Sequence, residues 1–200
     1  MTGQRLAERR GLKVEYGEEP VLAWRSWALS GTGTGERLLL RPVAGRAHPW
    51  PPRQIVRATC KRHRSHDAPE VDCRCGLHAS QSIAILTRTR CPAVLGRVAL
   101  WGRVVEHDFG YRARFGYPQR LRLICQFCFW QHGAAVDTPH AVGWFPPDRL
   151  VPFCAEHLEI ARAIGMRPWR LLEASAIEQE LLGAYAVDLL GMFTTDLLAL

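Results

Sequence analysis

The most regular alternation of apolar and polar positions lies mid-chain, where Val94–Glu106 reads V-L-G-R-V-A-L-W-G-R-V-V-E. β-Branched and aromatic residues suit a pleated surface, and the internal Gly96 and Gly102 mark a bulge or sharp bend. Asp108–Gly110 offers a turn, and Tyr111–Tyr117 and Leu121–Ile124 return as strands around Pro118. Upstream, Val21–Leu29 and Arg37–Arg41 flank the glycine-rich Gly31–Gly35 and predict a hairpin with a loose turn. Pro49–Pro52 is a rigid extended connector, Ile55–Cys60 a strand, and Ser80–Thr89 a short helix. Ala141–Phe145 predicts a further hairpin between Pro139 and Pro146–Pro147. Ala155–Ile164 has a helical pattern that Gly165 closes. Pro168 then suits the first turn of a helical segment towards Leu200, with breaks expected at Gly183 or Gly191. Its apolar stripe is Trp169, Leu172, Ala176, Leu182 and Tyr185, with Val187–Leu200 too apolar to remain uncovered. No internal repeat is present. The fold class expected is α+β: a small, strongly bent antiparallel sheet or partial barrel, then C-terminal helices.

Composition changes this picture in two ways. Seven cysteines stand in a 200-residue chain with no export signal, which favours metal binding over disulfides. No uncharged stretch reaches the roughly 18–20 residues a membrane span needs, because Asp188 and Asp196 interrupt Ala184–Leu200. The expected location is the cytoplasm. The net charge of +7 is unevenly placed: residues 1–154 carry 23 Lys+Arg against 12 Asp+Glu, residues 155–200 only 3 against 7. A basic body suits a polyanion, and an acidic, apolar tail suits a protein partner or self-association.

The cysteines fall into two clusters. Cys125-Gln-Phe-Cys128 follows a strand, and Cys154-Ala-Glu-His157 opens a helix. Two ligands two residues apart can grip a metal from a tight knuckle, and two from a helix start complete a tetrahedron around Zn²⁺. Buried free thiols are the plain alternative. The first cluster runs Cys60-Lys-Arg-His63-Arg-Ser-His66, then Cys73-Arg-Cys75-Gly76-Leu-His78. Extended backbone puts Cys73 and Cys75 on one side, and Gly76 permits a turn after them. Cys60, Cys73 and Cys75 supply three sulfurs. His66 is favoured as the fourth ligand, with His63, His78 and Cys91 competing for that place. Two zinc ions are expected.

Strand, knuckle, loop and helix start over about 121–165 resemble the treble-clef class of zinc fingers, which implies a metal and a local fold but no activity. Cys60–Ala79 with Gly96–Val104 resembles a group of small bacterial zinc-binding proteins with no assigned function, covering about 24–121. The organisation expected is a flexible 1–20, a β-rich domain over 21–124 with the first cluster, a zinc module over 121–165, and a helical segment over 166–200.

Catalytic patterns are missing: neither HExxH, GxSxG, GxGxxG nor a Walker loop occurs, nor the P-C-x-x-C that the deaminase signature requires, since Ile124 precedes Cys125. Glu106-His107-Asp108 gathers acid–base groups at a turn, where solvation outweighs catalysis. A non-enzymatic chain is expected. Alternation over Tyr111–Phe115 puts Arg112 and Arg114 on one face, and with Arg103, Arg120, Arg62 and Arg64 they make a candidate DNA- or RNA-binding surface. A solvated face would show the same pattern. The leading reading is a zinc protein that contacts nucleic acid, as an accessory subunit of a nucleoprotein complex. An adaptor docking through C-terminal helices and a reader of small ligands or modified bases are the alternatives.

Overall fold

The computed structural model describes residues 13–43, 49–63, 66–133 and 138–191. Arg64 and the apolar end 192–200 lie outside the described residues. The chain divides into two compact units, each built from three separated segments: Met1–Arg25, Gln54–Leu86 and Arg97–Gln119 form one; Ser26–Arg53, Thr87–Gly96 and Arg120–Leu200 form the other. The contiguous segments read from the sequence cut across this division. Three long strands contribute to both units, so composition along the chain could not mark the boundary: β1 (Lys13–Ser30), β5 (Val94–His107) and β6 (Gly110–Leu123). β1 also begins within the stretch expected to be flexible.

In the first unit, β4 (Leu77–Ser80) lies antiparallel to β6, with Leu77 opposite Ala113 and His78 opposite Arg112. The two-residue β3 (Val56–Arg57) pairs with β6 further along, Arg57 opposite Phe115. β6 runs unbroken through Pro118, where two strands were expected. The predicted helix over Ser80–Thr89 shortens to α1, Ile83–Leu86. Val98, Leu100, Val105 and Ala113 are fully buried and form the core of these strands.

In the second unit, β1 and β2 (Leu39–Pro42) make the hairpin that the pattern predicts, with Ser30 opposite Leu39. β7 (Ala141–Phe145) and β8 (Arg149–Phe153) form another hairpin, so the residues expected to make a whole hairpin supply one strand of it, and β8 pairs with β1. Two helices bracket this hairpin: α2 (Gln126–His132) and α3 (Ala155–Ala163). Phe153, Val151, Leu158 and Ala161 pack together beneath Phe127, Phe145 and Met166. Trp27 and Trp50, both fully buried, meet edge to face at 5.4 Å.

The C-terminal region departs from the helical segment expected from Pro168. Arg170–Glu173 is a strand, β9, antiparallel to β7. Helix α4 begins only at Ala174 and ends at Tyr185, before a short β10 (Asp188–Leu189) parallel to β6. The buried stripe is therefore Ala174, Ile177, Leu181 and Tyr185, while Trp169 is 80 % exposed and Ala176 faces outward. Pairing with β7 claims the residues from which the helical period was counted, and shifts its phase. Tyr185 closes the end of the stripe: its hydroxyl accepts from the Leu40 amide at 2.9 Å and donates to the Trp50 carbonyl at 2.6 Å.

Candidate metal centres

Each unit contains one Cys/His group whose four ligand atoms all lie within 4.8 Å of one another: Cys60, His66, Cys73 and Cys75; and Cys125, Cys128, Cys154 and His157. A zinc tetrahedron with metal–sulfur bonds of about 2.3 Å and a metal–nitrogen bond of about 2.0 Å has edges of roughly 3.5–3.8 Å. Disulfide bonding would instead bring two sulfurs to about 2.05 Å. The observed spacings, 3.1–3.7 Å, exclude disulfides and lie near the edges of such a tetrahedron.

In the second unit, Cys128 Sγ lies 3.5 Å from Cys154 Sγ and 3.3 Å from His157 Nδ1, and Cys154 Sγ lies 3.1 Å from that nitrogen. All four residues are buried. Cys125 is the N-cap of α2 and Cys128 sits in its first turn, so the turn expected as a knuckle is a helix start. Cys154 caps α3, its sulfur accepting from the His157 amide at 3.4 Å. Cys154 thus takes up one amide that the first turn of α3 leaves unpaired, whereas the Cys125 side chain makes no such cap bond. Phe127 stacks on the His157 ring at 5.3 Å and 12°, holding its plane. Burial, with Cys154 and Cys125 beside it, pushes the Cys128 thiol far up. Three thiols in so dry a site become stable as thiolates only against a cation.

The first group is half-buried and loop-borne. Cys60 Sγ lies 3.7 Å from Cys73 Sγ, and His66 Nε2 lies 3.4 Å from Cys75 Sγ. Among the histidines competing for the fourth place, His66 joins the sulfurs. His63 is exposed and gives only its backbone amide to Cys60 Sγ at 3.3 Å. His78 Nε2 lies 3.0 Å from the Arg74 carbonyl, and Cys91 is exposed and belongs to the other unit. Gly76, at φ +129°, makes the turn after Cys75, and a Cβ there would sit 3.0 Å from Arg112 Cβ. Burial raises the Cys75 thiol to about 11, with neighbouring Cys73 and Cys60 adding. Desolvation acts upward on Cys60 too, but the amides of His63 and Arg62 and contacts with Cys73 and Cys75 hold it near 7.

Arg112 is 6 % exposed and braces this loop. Its Nη1 donates to the Glu70 carbonyl at 3.0 Å, to that of Cys73, and to that of Cys75 at 3.4 Å. Arg103 grips the Glu70 carboxylate through both nitrogens, at 2.9 and 3.1 Å, and holds it below its ordinary value. The outward arginine face expected over Arg112 and Arg114 is thus corrected: strand alternation does place them together, but Arg112 is turned to carbonyl groups. Arg114 lies 3.5 Å from Asp67, while Arg62 and Arg120 are exposed. No local sequence pattern marks Arg112, Arg103, Glu70 and Phe127 as supports of the metal groups; for Arg112 the signal lies in the β4–β6 register. Glu106 accepts from Gln81 at 3.0 Å and His107 from the Phe109 amide at 3.3 Å, both at the β5–β6 turn.

No helix among the described residues is long and apolar enough to cross a membrane. No protein-family model, curated protein or solved structure matches the chain.

Proposed function

We propose that both groups hold Zn²⁺ as structural ions, and that the chain is a non-enzymatic zinc protein that contacts nucleic acid. The four-donor sets carry the zinc assignment: three sulfurs and one imidazole suit zinc, and a full tetrahedron keeps no position for a reacting water. Elemental analysis of purified protein should give two zinc ions per chain. Less than one would overturn the assignment.

Charge supports the polyanion. Between Gln54 and His66 the chain carries Arg57, Lys61, Arg62 and Arg64 and no acidic residue, within a net charge of +7. Arg57, Lys61 and Arg62 are exposed. Lys61 and Arg62 directly follow Cys60, so a metal held there lowers the cost of ordering them on binding. Electrophoretic mobility shifts on mixed DNA and RNA, repeated across a salt series, test this reading; binding indifferent to salt counts against it. The adaptor reading keeps support from one observation, the exposed Trp169 and Leu171 of the second unit. The apolar stripe of α4 is buried, and residues 192–200 of the expected docking segment lie outside the described residues.

A further inference from the structure

The first unit carries a second feature beside its basic loop. Trp101 on β5 stacks against Phe115 on β6, ring centres 6.2 Å apart at 28°, and both rings are only partly buried. Gly102, at φ +76°, permits this: a Cβ there would lie 2.9 Å from the Phe115 ring. Two arginines flank Phe115. Arg57 is its cross-strand neighbour on β3, and the Arg114 guanidinium lies 5.4 Å from the ring centre. Both reach towards one exposed carboxylate, Asp67, from 3.7 and 3.5 Å.

A carboxylate between two guanidiniums occupies the place a phosphate would take, since both anions accept from the same donors. An exposed ion pair of this length contributes little, so exchange for a phosphate costs little. Beside it, a partly open aromatic pair offers a surface on which an unstacked base can lie. A duplex keeps its base faces covered and cannot use such a surface; a single strand can. We propose that the first unit binds single-stranded nucleic acid, a base stacking on the Trp101–Phe115 pair and the adjoining phosphate replacing Asp67 between Arg57 and Arg114. This rests on the nucleic-acid reading and adds the strand state, the stacking residues and the phosphate position.

Fluorescence anisotropy of labelled oligothymidylate, oligouridylate and a mixed-sequence duplex tests it, with zinc content and melting temperature measured for every variant. The single strands should bind more tightly than the duplex. Phe115→Leu and Trp101→Leu, which retain an apolar side chain, should each weaken single-strand binding by about tenfold. Asp67→Asn should tighten it by about fivefold, because a competing charge is removed. Equal affinity for duplex and single strand overturns this inference alone, as does unchanged binding by Phe115→Leu with wild-type zinc content. Asp67→Asn binding no more tightly than wild type overturns the phosphate position. No binding to any of the three probes overturns the nucleic-acid reading itself.

Discussion

Arg112 shows how one side chain can be legible in position and misleading in role. Alternation along β6 places it correctly beside Arg114, and charge alone directs it to solvent. The β4–β6 register instead sets it opposite His78, beside the loop that carries Cys73 and Cys75. A planar guanidinium can serve several carbonyls at once, which an ammonium on a flexible stem cannot do equally. Arg112→Ala should therefore cost about 3 kcal/mol in urea denaturation and loosen zinc at the first site. Arg112→Lys should recover only part of that loss. A variant of unchanged stability that lost only nucleic-acid binding would return Arg112 to the surface role. Without metal the thiols of the first group differ: Cys60, held near 7, favours the folded chain increasingly as pH rises from 7 to 9.0, whereas Cys75 acts the other way above 9.0. Cys75 is raised on folding from the ordinary 9.0 to about 11, so in chelated protein its contribution is intact below 9.0 and fades as pH climbs towards 11. Metal-loaded protein should weaken in acid instead, where protons compete for thiolate. Melting temperatures of both forms across pH check the two directions.

Among the elements, strands were easier to read than the C-terminal region. The β1–β2 hairpin, the strand character of β7 and most of β5 follow from apolar alternation between glycine and proline turns, whereas β8 does not. β9 did not, because Arg170–Glu173 is too short to show a period of two, and its strand state depends on β7 being alongside. The metal groups were legible for a different reason: ligand spacing is local, and a helix start or tight loop is all each half needs. Cys128 lies in the first turn of α2 and meets the ligands of α3, so Cys128→Ser removes the link between two helix starts. It should yield aggregated protein, since structural zinc binding is worth roughly 10 kcal/mol or more; a soluble variant with wild-type melting would refute this. Tyr185→Phe should cost about 1–3 kcal/mol in urea unfolding, because the Leu40 amide and the Trp50 carbonyl both lose a buried partner.

At the scale of the whole molecule, an apolar C-terminal region can be covered by a partner or by the chain's own core. In the part described, Tyr185 is fully buried, Leu190 is 5 % exposed, and the Leu190 amide donates to Leu121 at 2.9 Å, while Leu189 is exposed. Deleting 184–200 should consequently abolish folding, seen as loss of soluble, zinc-loaded protein; a monomer that stays folded would show otherwise. The division into two units was beyond the sequence, because the strands that supply both carry the same alternation throughout.

The two metal groups also differ in how much chain they enclose. Cys125 to His157 spans roughly twice the length of Cys60 to Cys75. Doubling a loop raises its closure cost by only about 0.6 kcal/mol, a factor of about three in the affinity of an unfolded chain for the ion. Scaffold separates them further: the longer group needs two helix starts and a hairpin in place, the shorter mainly turns. An ion that also binds the unfolded chain stabilises the native state by less than its native affinity implies. On this ground the shorter group should keep more of its ion affinity in an unfolded chain than the longer one.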